Sequence, residues 1–100
     1  MSLTHSVDRN AIARFCERWQ VCELALFGSA VRDDLRSDSD VDVMVTFAPD
    51  APWSLWDLSA MRDELKDIFR RPVDLVEKRA IKNPFRRRQI LNYCEVIHAA

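Results

Sequence analysis

The chain has 100 residues, 48% of them hydrophobic and 31% charged, with a formal net charge of −1. That length suits one domain, and that balance is globular rather than disordered. A near-neutral total gives no general pull toward nucleic acid or membrane, and no apolar run reaches the ~18 residues that a bilayer span needs.

Ser6 is placed to cap a first helix running to about Gln20. Ile12, Phe15, Cys16 and Trp19 recur at the spacing of a buried helical stripe, with Arg9, Arg14, Glu17 and Arg18 outside it. Val21 to Phe27 is an apolar run of strand length that ends at Gly28, the only glycine in the chain. A short helical segment, Ser29 to Leu35, can begin there. Val41 to Phe47, rich in valine, reads as a second strand. Ser54 and Asp57 match a capping box that opens a long helix to about Arg70, and Leu58, Met61, Leu65, Ile68 and Phe69 supply its buried stripe. Pro72 stops that helix. Val73 to Val76 is predicted as a third strand. Asn83 and Pro84 form an N-cap and first-turn pair for a last helix, Phe85 to about Asn92. Cys94 to His98 fits either a closing strand or the end of that helix. Strands and helices alternate throughout, which predicts the α/β (α+β) class: one domain, residues 1–100, with a mixed sheet flanked by helices.

The chemistry concentrates at four points. Gly28 sits where a strand gives way to a helix, and a helix N-terminus offers unpaired N–H groups to a phosphate. Ser29 adds a hydroxyl there, although an ordinary turn capped by Ser29 has the same residues. Asp40 and Asp42 are two apart on a predicted strand, so both face one side while Val41, Val43 and Val45 face the other. A solvated face at the strand's beginning is the simpler reading of that pair. Asp74 interrupts the third apolar run. If its strand neighbours the second one, ~4.8 Å away, it can join the other two. Three converging carboxylates repel one another, but they suit hard divalent cations such as Mg²⁺. Two such ions would clamp an in-line displacement at phosphorus.

From Gly28 to Asp42 the sequence reads Gly-Ser-Ala-Val-Arg-Asp-Asp-Leu-Arg-Ser-Asp-Ser-Asp-Val-Asp. This resembles the signature of the polymerase-β-like nucleotidyltransferase superfamily. With the later Val-Asp-Leu-Val strand, the chain is similar to the minimal nucleotidyltransferase (MNT) family. The resemblance implies that Gly28, Ser29 and Arg32 hold the triphosphate of ATP. It implies that Asp40 and Asp42 bind two Mg²⁺ ions, and that Asp74 completes the second site and helps activate the acceptor. The implied reaction moves AMP from ATP to a hydroxyl of a protein partner, a helical HEPN toxin, with this chain as its antitoxin. The alternative is an antitoxin that neutralises by binding alone. One departure stands at Asp33, where family members often carry glycine. Arg32 is equally placed for a surface salt bridge to Asp33 or Asp34.

The remaining features are less specific. Asp33 to Asp67 holds ten acidic and three basic residues, and Arg70 to Arg88 holds eight basic and two acidic. The basic stretch could meet RNA or an acidic protein, or form a solvated helix face. It lacks the interleaved aromatics that stack bases, so direct nucleic-acid binding is not expected. Trp53 and Trp56 are candidates for a partner surface, an adenine pocket or the core. Cys16, Cys22 and Cys94 have no metal-like spacing and read as core fillers with reduced thiols. Together with an N-terminus that has no signal region, they predict a cytoplasmic protein. An exposed sheet edge in so small a domain leaves room for self-association into a homo-oligomer.

Overall fold

The computed structural model describes residues 7–28, 40–92 and 94–99. Helix α1 spans Arg9–Trp19. Its cap is Asp8, whose Oδ1 accepts from the amides of Asn10 (3.0 Å) and Ala11 (3.1 Å). The expected cap, Ser6, lies outside the described residues, and the first turn begins at the carboxylate instead. Gln20 adopts a left-handed conformation (φ 56°) that ends the helix and turns the chain into strand β1, Val21–Phe27.

Strand β2 is Val41–Phe47, helix α2 is Leu55–Phe69, and strand β3 is Val73–Glu77. The capping box forms as expected, with Asp57 Oδ2 accepting from the Ser54 amide at 2.8 Å. Arg70, in the left-handed region, terminates α2. A 3-10 turn, Lys78–Ala80, leads to helix α3, Pro84–Asn92. The ambiguous tail resolves as strand β4, Cys94–Ala99. The segment that includes the expected Ser29 to Leu35 helix lies outside the described residues.

The four strands form one mixed sheet in the order β3-β2-β1-β4. β1 runs antiparallel to both β2 and β4, whereas β2 and β3 are parallel, with α2 as the crossover between them. Alternation along the strands divides the sheet into two faces. One carries Leu24, Leu26, Val43 and Val45, all fully buried beneath Ile12 and Phe15 of α1 and Met61 and Leu65 of α2. Burying each such side chain contributes about 1.5–3 kcal/mol, so this face supplies most of the stability. The other face carries a smaller cluster of Ala25, Phe27 and Met44, covered by Ile81 and by Ile90 of α3.

Two local devices hold the periphery. Trp53 stacks edge-on against Trp19 (ring centroids 5.1 Å apart) and donates its indole N–H to the Trp19 carbonyl at 2.7 Å. Trp53 therefore packs against α1, while Trp56 stays 86% exposed. On the β4 edge, the register with β1 steps from His98 to Val96 and leaves Ile97 in a bulge. Arg9 Nη1 donates to the Ile97 carbonyl at 2.8 Å, which satisfies the group that the bulge frees.

Candidate active site

The sheet register brings together three of the residues that the sequence singles out. Phe27 pairs with Asp42 across β1 and β2, and Asp42 pairs with Asp74 across β2 and β3. Phe27, Asp42 and Asp74 therefore lie in one row across the sheet, with strands ~4.8 Å apart and Gly28 one residue beyond Phe27. The face is the one opposite the main core. Val41 and Val43 are buried on the α1/α2 side, so Asp42 between them must point the other way. Asp42 is half-buried and Asp74 is exposed.

Gly28 meets Asp42 directly. Its φ is +65°, a left-handed conformation that favours glycine. A Cβ built there would run into Asp42 Oδ2. The missing side chain thus has two consequences: the chain turns sharply at the end of β1, and the Asp42 carboxylate occupies the space. Sequence reading finds the need for glycine, but not this contact, which depends on the antiparallel register.

Asp40 is exposed and precedes β2. The adjoining amide, Val41 N, donates to the Pro72 carbonyl at 2.8 Å, which anchors the start of β2 beside the start of β3. Pro72 reads from sequence only as a helix stop, and its carbonyl gives it this second role. Among the described residues, no three Asp, Glu, His or Cys side chains gather into a group that could hold a metal. The register sets Asp42 beside Asp74, and Asp40 stands two residues earlier, just before β2. Ser29, Arg32 and Asp33 lie outside the described residues.

Two adjacent carboxylates make an all-oxygen donor set. Mg²⁺ suits it, because that ion is commonly held by one or two carboxylates and completes its shell with water and substrate phosphates. Cys16 is buried in the core, and burial pushes its pKa up to about 12, so it stays protonated and inert.

Comparison with known proteins gives the family and the fold. Residues 9–97 match the nucleotidyltransferase domain family. The protein adenylyltransferase MntA of Thermococcus cleftensis is 39% identical over 67 residues, 67% of this chain and 66% of its own. A solved structure of a minimal nucleotidyltransferase superposes with a TM-score of 0.75 at 30% identity, covering 95% of each chain. A solved complex of the tri-AMPylated HEPN toxin of Shewanella oneidensis with an MNT antitoxin matches with a TM-score of 0.65 at 19% identity. That match covers 92% of this chain and 70% of the other and is a likeness of fold.

Proposed function

The chain belongs to the nucleotidyltransferase domain family, and from that premise we propose that it transfers AMP from ATP to a hydroxyl of a HEPN-type protein partner, as the antitoxin of that partner. The observation that carries this reading is the pairing of Asp42 with Asp74 and the space that Gly28 leaves for the Asp42 carboxylate. The adenylyltransferase named above and the AMPylated toxin in the solved complex support the choice of AMP and of the partner class.

The residues divide the work. The turn at Gly28 lets backbone approach a phosphate closely, with no side chain in the way. Asp42, held in place by the absent Cβ of Gly28 and by strands on both sides, would be the shared carboxylate of the metal site. Asp74, exposed on the next strand, would complete the site at its solvent side, where a large partner can present a hydroxyl. Asp40, exposed two residues before Asp42, would supply a further carboxylate to the metal site. Bound Mg²⁺ would offset the charge of the triphosphate and of the carboxylates. In the transfer itself, the acceptor oxygen bonds to the α-phosphorus while the bond to pyrophosphate breaks. The hydroxyl proton passes to the Asp74 carboxylate.

The test is to incubate the chain with MgATP and a HEPN acceptor and to follow the acceptor by intact mass. Stepwise additions of AMP are expected with the wild type and none with Asp42→Asn. An acceptor that is neutralised without any added mass, equally well by wild type and Asp42→Asn, would favour an antitoxin acting by contact. The wide exposure of Trp56 and Phe85, at 86% and 80%, is the observation that keeps that second reading in view.

A further inference from the structure

Helix α3 is fastened to the domain by one side chain. Of its nine residues only Ile90 is buried, in the small cluster with Ala25, Phe27 and Met44. Phe85 is 80% and Leu91 40% exposed. Asn83 Oδ1 caps the first turn by accepting from the amides of Phe85 and Arg86, at 3.0 and 3.3 Å. A helix this short gains little from its own hydrogen bonds in water, and one apolar contact adds little more. Its outer surface is therefore unpartnered among the described residues.

That surface has one sign of charge. From Lys78 to Asn92 there are six basic residues and no acidic one. Arg86, Arg87 and Arg88 are exposed, and among the described residues none of them forms an ion pair. At about 100° per residue, Phe85 and Arg88 project opposite Ile90, with Arg86 and Arg87 to either side of it. An exposed aromatic beside Arg88, with two more guanidinium groups on the flanks of the helix, has the composition of an interface centre, where Phe and Arg are enriched. Guanidinium forks match carboxylates in geometry as well as charge.

We infer that α3 docks into an acidic groove on a partner protein, with Phe85 in an apolar hollow, Arg88 paired to a carboxylate beside it, and Arg86 and Arg87 paired to carboxylates on the walls of the groove. Ile90 seats α3 on the same sheet face that carries Asp42 and Asp74, so a protein held there lies beside the site. This rests on the adenylyl-transfer reading only in making the docked protein the acceptor. A nucleic-acid ligand fits the charge of α3 but not its composition. α3 offers a single aromatic where single strands use several for stacking.

The test uses the full chain and a fluorescent helical peptide with glutamates along one side and leucines along the other. Anisotropy is measured at low and moderate salt, with an RNA oligonucleotide of equal charge as competitor. The variants are Phe85→Ser and the triple change Arg86→Gln, Arg87→Gln, Arg88→Gln; all four side chains are exposed, and thermal melting verifies the fold. Binding of the peptide is expected to weaken about tenfold in each variant, with RNA a poor competitor. Tighter binding of RNA than of the peptide would overturn the inference. So would no binding of the peptide, or a loss in the arginine variant that Phe85→Ser does not share, since that is diffuse charge attraction. Asp42→Asn should bind the peptide as the wild type does, whether or not MgATP binds, which separates failure of docking from failure of the nucleotide site.

Discussion

The two faces of the sheet are made by the same strands, residue by residue in alternation, yet they are built for different ends. On the α1/α2 face the two central strands are closed: Leu24, Leu26, Val41, Val43 and Val45 are fully buried. On the opposite face, Asp42 and Asp74 stand side by side at one end, and the apolar cover is a small cluster under Ile81 and Ile90. A one-residue difference in position separates a packing residue from a candidate ligand. The domain can place carboxylates in its sheet because the other face alone supplies a sufficient core.

That division can be broken at chosen points. The largest effect is expected at Asp42→Asn, which keeps the shape and removes the charge. If the carboxylate stabilises a metal-bound transition state by several kcal/mol, transfer falls on the order of a thousandfold, with melting little changed. Leu24→Ala, one strand over and on the other face, should do the reverse. A fully buried leucine costs about 2–5 kcal/mol when truncated, measured by denaturant unfolding, and the activity per folded molecule should persist. A comparable stability loss in both variants would show that the faces are not separate.

Gly28→Ala tests the join between them. A left-handed φ costs a non-glycine residue about 1–2 kcal/mol, and the new methyl also has to displace the Asp42 carboxylate. Transfer should therefore fall further than stability does, and a variant that only loses stability would mean that the contact with Asp42 carries no function. The smallest effect is expected at the core thiol. Because burial raises the Cys16 pKa to about 12, the unfolded thiol ionises first as pH rises. The thiol's contribution is intact below ~8.5 and declines as pH climbs toward the folded value. A Cys16→Ala variant should show a shallower loss of stability over that alkaline range, and an identical slope would contradict the assignment.

The strands and helices were largely legible in the sequence because their signals are local. The apolar runs before Gly28 and after Asp40, the Ser54 and Asp57 box and the Asn83-Pro84 pair each mark an end with neighbouring residues. The site was half legible. Two aspartates at i and i+2 must share a face, and a lone glycine after a strand implies a sharp turn. What the local pattern could not state was register. That Asp42 meets Asp74 on one side and the vacancy of Gly28 on the other depends on pairings between distant strands. The tail from Cys94 was ambiguous for the same reason, since its strand identity comes from pairing with β1. Family resemblance supplied the expected roles of Ser29 and Arg32, which the described residues do not include.

The most direct measurement is the melting temperature of wild type and Asp42→Asn with and without MgATP. At ten times its dissociation constant a ligand stabilises by about 1.4 kcal/mol, which for a domain of this size raises the midpoint by roughly 6–11 °C. A rise in the wild type that Asp42→Asn lacks is the predicted result. An equal rise in both, or none in either with Mg²⁺ and Mn²⁺ each tried, would contradict the claim that the Asp42 and Asp74 pair holds a metal and its nucleotide.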